Sequence, residues 1–97
     1  MVKLEVVNPQ AVTHVAPVAL APRLSDIAGK RIGLYWNIKA GGDLALEYTA
    51  RLLDKMFPQT QFKHYVGSVG SSMRHATAED AEQVAQECDA VVGTSAD

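Results

Sequence analysis

RIGLYWNIKAGGDLALEYTARLLDKMFP, residues 31–58, changes its hydrophobic period half-way along. Residues 31–36 are short, apolar and β-prone. They are bounded by Gly29 and by the Gly41–Gly42 pair, which predicts a strand. Residues 43–57 then set Leu46, Ala50, Leu53 and Phe57 at helical spacing on one face. Asp43 suits the start of that helix, Glu47 and Arg51 stand one turn apart with opposite charge, and Pro58 ends it.

The same alternation continues toward the C-terminus. QFKHYV, residues 61–66, reads as a second strand with Phe62, His64 and Val66 on one face. GSVGSSMRHA, residues 67–76, is a Gly/Ser-rich loop. Residues 77–88 form a second helix, capped by Thr77, with Glu79 and Asp80 in its first turn where the dipole favours anions. Its apolar face is Ala81, Val84, Ala85 and Cys88. AVVGTSA, residues 90–96, is a third strand, apolar on both faces as buried parallel strands are. Strand, helix, strand, helix, strand predicts an α/β fold: a three-layer, parallel βαβαβ sheet, either a flavodoxin-like or a Rossmann-like half.

Toward the N-terminus the pattern stops. Pro9, Pro17 and Pro22 forbid a long helix and discourage a central strand, so residues 1–28 read as an extended N-terminal arm. KLEVV within it can add an edge strand. LSDIAGK makes a single turn that Ser25 can cap and Gly29 can end. The expected organisation is an arm over 1–28 and an α/β domain over 29–97. Three parallel strands are few for a sheet, so that domain reads as truncated, and its apolar last strand invites a second copy or a partner chain to complete it.

Composition narrows the function classes. At 97 residues the chain is one domain at most, burying roughly 60–65 % of its unfolded surface. A net charge of −2 with no basic stripe argues against nucleic acid. No run approaches the roughly 20 apolar residues of a membrane span. One cysteine, Cys88, rules out an internal disulfide framework and fits a reducing, cytoplasmic setting. No metal-ligand spacing is present among the histidines and carboxylates, and no cofactor motif, neither GxGxxG nor GxxxxGK[ST], occurs.

In open parallel sheets, ligands bind beyond the carboxyl ends of the strands. Three segments leave those ends: NIKAGG (37–42), GSVGSSMRH (67–75) and TSAD (94–97). In the first, Asn37, Lys39, Gly41 and Gly42 precede a helix N-terminus. They form either an anion cradle or a plain strand-to-helix turn with a solvated lysine. In the second, Ser71, Ser72 and Arg74 can hold a carboxylate, and His75 can move protons; a polar loop without a role has the same composition. Asp97 closes the third. Cys88 reads as a small core hydrophobe, His64 as a packed or edge histidine, His14 as partnerless, and Trp36 as a core or partner-facing anchor.

GKRIGLYWNIKAGGDLALEYTARLLDKMFP, YVGSVGSSMRHATAEDAEQ and CDAVVGTSAD together resemble the N-terminal part of the UGSC family of (seleno)proteins, over roughly residues 29–97. In that family GT-x-x-D is followed by U-G-S-C or C-G-S-C, where U is selenocysteine. The resemblance implies a reductase-like redox protein, distantly similar to glycine-reductase-type subunits, whose selenol or thiol follows Asp97. There the next helix N-terminus would lower its pKa, beside a resolving cysteine two residues on. It further implies that Asn37, Lys39, Gly41, Gly42, Ser71, Ser72, Arg74 and Asp97 wall a site for a small anionic or carbonyl substrate. No residue of this chain is expected to be catalytic. The rival expectation is a non-catalytic α/β module that binds an anionic metabolite or a sheet-completing partner. A third is an enzyme with His75 as its base. Because UGA is both the selenocysteine codon and a stop, the genomic frame is expected to read TGA after codon 97 and then encode G-S-C. Any other codon there, sequenced directly, removes that expectation.

Overall fold

The structure, a computed structural model, describes residues 2–67 and 76–95. Its elements are β1 (Arg31–Trp36), α1 (Gly42–Met56), β2 (Gln61–Val66), α2 (Ala78–Glu87) and β3 (Ala90–Thr94). The three strands form one sheet in the order β2-β1-β3. Both pairings are parallel: Leu34 stands opposite His64 on one side and Val92 on the other. The chain therefore steps from the centre to one edge and back across to the other. That order is the flavodoxin-like one of the two expected, with its reversal point between β1 and β3.

Strand periodicity divides β1 between two faces. On one, Ile32 and Leu34 pack with Leu46 of α1 into the core; Leu34 and Leu46 are both 0 % exposed. Trp36, Ala50, Phe62, Ala90 and Val92 close around them. On the other face lie Gly33 and Tyr35. There a side chain at Gly33 would meet Cys88 Sγ at 3.1 Å, Val91 Cγ2 at 3.2 Å and Tyr65 Cε2 at 3.3 Å. The two helices thus cover opposite faces, and one strand carries both cores.

The structure departs from the sequence reading at five points. Helix α1 begins one residue before Asp43, because its N-cap is Gly41 in the left-handed region (φ 89°), which supplies no side-chain cap. The turn before β1 is closed by Asp26, whose Oδ1 accepts from Ala28 N at 3.0 Å, where Ser25 was the expected cap; the longer Asp side chain reaches two residues on. The α2 cap is as expected. Thr77 Oγ1 accepts from Asp80 N and Asp80 Oδ2 accepts from Thr77 N, a reciprocal capping box. Of its apolar face only Val84 is buried and Cys88 half-buried; Ala81 and Ala85 are exposed. β3 is also more exposed than a central strand, with Val91 47 % accessible, because it lies at the sheet edge. The KLEVV segment stays outside the sheet: the arm over residues 2–24 carries no secondary structure and extends the molecule to 75 Å.

The crowding at Gly33 gives a test. Gly33→Val is expected to cost about 1–3 kcal/mol through overpacking, read as a lower urea midpoint, with part recovered by adding Val91→Ala. An unchanged midpoint contradicts the packing of α2 on this face.

Candidate functional site at the carboxyl edge of the sheet

β1 ends at Trp36, and residues 37–41 must turn the chain into α1. The turn is tightly tied. Asn37 Oδ1 accepts from Lys39 N at 3.2 Å. Lys39 O accepts from the Trp36 indole Nε1 at 2.7 Å and from Gly42 N at 3.2 Å. Two residues take left-handed backbone, Ile38 at φ 67° and Gly41 at φ 89°. For Gly41 this costs nothing; for a β-branched Ile38 it is strained. Strain of that kind persists where the surroundings over-determine it and gathers at functional loops.

Gly42 explains the over-determination. A side chain there would lie 2.8 Å from Thr94 Oγ1 and 2.9 Å from Trp36 Cδ1. The first turn of α1 therefore rests on the ends of β1 and β3 together. Among the described residues, Thr94 Oγ1 is buried at that contact with no hydrogen-bond partner, and Tyr35 OH is likewise buried and unpartnered on the opposite face. Burial, then the Asp80 carboxylate, pushes the Tyr35 phenol up. Asn37, Lys39, Gly41 and Gly42 thus do come together, at the strand-order reversal between β1 and β3. Ser71, Ser72, Arg74, His75 and Asp97 lie outside the described residues.

Sequence reasoning missed Thr94 and Ile38. No local pattern marks either: Thr94 matters through a glycine 52 positions away, and Ile38 through its backbone. Trp36 packs against the core, one of the two readings the sequence allowed, and its indole is also tied to the loop.

The opposite, amino-terminal edge holds a different constellation. Arg31 forks onto Asp89, with Nε to Oδ2 at 3.2 Å and Nη2 to Oδ1 at 3.1 Å, while Arg31 N also donates to Oδ2 at 2.8 Å. Those bonds hold the Asp89 carboxyl at about 2. Lys63 pairs with Glu87, which also accepts from Tyr65 OH at 2.5 Å. The Lys63 bond first, then the Tyr65 bond, holds Glu87 at about 2. Burial, with the Cys88 and Glu87 bonds behind it, pushes the Tyr65 phenol up. Cys88 Sγ stands 3.3 Å from that hydroxyl, at this edge and away from the loop after β1. Among the described residues no group of three or more His, Cys, Asp or Glu is placed to hold a metal, and no helix is long and apolar enough to cross a membrane.

The UGSC family model matches residues 5–97. The chain belongs to the UGSC family. The match takes in most of the arm as well as the sheet. No curated protein and no solved structure matches the chain.

The ion pairs of the amino-terminal edge carry a pH signature. Glu87 and Asp89 have folded-state values near 2, below the ordinary carboxylate range, so they contribute stability above about pH 4. That contribution is lost as pH falls from about 4 toward 2. Urea midpoints are expected to drop across that window in the native chain and to drop less in Glu87→Gln or Asp89→Asn. An equal drop in all three removes these pairs as the cause.

Proposed function

We propose that the crevice at the carboxyl ends of β1 and β3 binds a small anionic or carbonyl-bearing molecule, as the chain's part in a UGSC-type redox reaction. The contact at Gly42 carries this reading. It presses the first turn of α1 onto both strand ends, at the reversal point where open α/β sheets take ligands. No side chain caps that helix start; Gly42 N is taken by Lys39 O, and the next N–H groups of the first turn and the positive dipole end favour an anion. Lys39 stands in the same turn, and the Thr94 hydroxyl is buried against it without a partner.

Within such a crevice the chain's residues bind and orient. The N–H groups of α1 and the Lys39 ammonium stabilise a carboxylate or polarised carbonyl oxygen, and Trp36 holds the loop in place. The selenol or thiol implied by the family resemblance is not among residues 1–97. Cys88, the single cysteine, belongs to the opposite edge, so the residues described at this crevice are read as walls that bind and orient. An unpaired cysteine supports a reducing, cytoplasmic setting. The glycine-reductase likeness remains an analogy of sequence pattern and adds no residue to the site.

Calorimetric or chemical-shift titration with phosphate, acetate and pyruvate tests the crevice. Saturable binding is expected for at least one, weakened about 3–10-fold by Lys39→Ala and abolished by Gly42→Ala. Asp43 places a carboxylate in the first turn of α1, so Asp43→Asn is expected to tighten an anion about 2–5-fold. Non-saturable binding, or binding indifferent to Lys39 and Asp43, overturns the reading.

A further inference from the structure

The two edges of the sheet are built differently. The β2 edge carries the exposed polar residues Gln61, Lys63 and His64 beside one exposed apolar residue, Val66; a lysine on an edge blunts it against pairing. The β3 edge carries Val91 and Gly93, both exposed, with no charged side chain between Ala90 and Thr94. Beside it runs a mostly apolar groove of about 320 Å³, lined by Ile32, Ala90 and Val92 of the sheet, Leu53 of α1 and, from the base of this chain's own arm, Leu24 and the charged Arg23. Helix α1 also leaves Leu44, Tyr48, Leu52 and Met56 exposed at four-residue spacing, a continuous apolar stripe. Of its five charged residues, Asp43, Glu47, Arg51 and Asp54 fall to the other side of that stripe, while Lys55 reaches it in the last turn, three residues after Leu52.

The same chain carries an unused apolar strand. Val2, Leu4, Val6, Val7, Val12, Val15, Val18 and Leu20 of the arm are 81–96 % exposed. Residues 2–6 alternate apolar and polar, and Lys3 Nζ lies 3.6 Å from Glu5 Oε1, so the two polar residues already share one side. The opposite side presents Val2, Leu4 and Val6 as one apolar row. The six residues Val2–Val7 match β3, which has five. The arm is poorly suited to fold back on its own sheet. It has Pro9, Pro17 and Pro22 and no glycine before Gly29, and it leaves the body along the 75 Å axis of the molecule.

We infer that the β3 edge and the adjoining α1 stripe are covered by the N-terminal arm of a second copy of this chain, exchanged reciprocally in a two-fold dimer. Residues 2–7 of one protomer pair along β3 of the other, with Val2, Leu4 and Val6 turned to the groove. The later aliphatic residues of the arm cross the α1 stripe. This is strand addition to a free edge, with backbone hydrogen bonds supplying affinity and the apolar row fixing the register. The size is sufficient. With Val7 on the far side of the strand, seven aliphatic side chains at about 100 Å² each, contributed by both arms, remove about 1,400 Å² of apolar surface, within the range of an ordinary stable interface. The inference is separable from the anion crevice: the two share the end of β3 at Thr94, but no substitution that tests one is used to test the other.

Light scattering on the 97-residue chain at about 100 μM is expected to give twice the monomer mass. Leu4→Lys with Val6→Lys changes only exposed arm residues, so the fold remains, and it is expected to give a monomer. Val91→Lys, checked for native circular dichroism, is expected to give a monomer too. Mixing the arm variant with the edge variant is expected to restore a one-to-one dimer, because one intact arm then meets one intact edge. A native chain that stays monomeric at this concentration overturns the inference. So does a dimer that survives in the arm variant, or a mixture that fails to associate.

Discussion

Helix α1 can rest where it does only because residue 42 has no side chain. The backbone there comes so near Thr94 and Trp36 that a single methyl group would have to displace a hydroxyl or an indole. That one approach ties the ends of β1 and β3 to the start of the helix. It also dictates the turn between them, since five residues must leave β1, pass over the tryptophan and arrive in helical geometry. Two left-handed residues are the result, and one of them is an isoleucine. Leu46, one turn further along, then falls onto Leu34 in the core. Site and core are therefore two consequences of the same contact.

The remainder of the molecule is arranged around the central position of β1. Its amino end is fixed by the Arg31–Asp89 fork and by backbone bonds between Asp89 N and Arg31 O at 2.7 Å and between Gln61 N and Lys30 O at 2.9 Å. Its carboxyl end is fixed by the glycine contact. Ion pairs gather at one edge of the sheet, and the strained loop with its uncapped helix start lies at the other. Charge pairs in water contribute modestly, so the amino edge serves mainly to hold register, whereas the loop holds a shape that solvent alone would not keep.

How much of this was legible depends on how local the cause is. Strands 31–36 and 61–66 were readable to the residue because alternation and flanking glycines are properties of neighbours. The Thr77 cap was readable because its partner, Asp80, is three residues away. The start of α1 slipped by one residue because a backbone conformation, not a capping side chain, sets it. Strand order was open between two half-folds, since crossover length alone does not say which way a chain steps; only the pairing of β3 with β1 decides it. Thr94 stayed hidden because its importance is a distance to Gly42. KLEVV has strand chemistry, yet propensity without a backbone partner leaves it extended and unpaired.

The indole of Trp36 donates to Lys39 O directly beneath the turn, and the chain has no other tryptophan. Tryptophan emission from this protein, excited where its three tyrosines do not absorb, thus originates at one place, the hinge between strand and helix. Any event that loosens or tightens that turn changes the polarity around a lone fluorophore, so the native molecule carries a built-in optical gauge of its own crevice and needs no added dye.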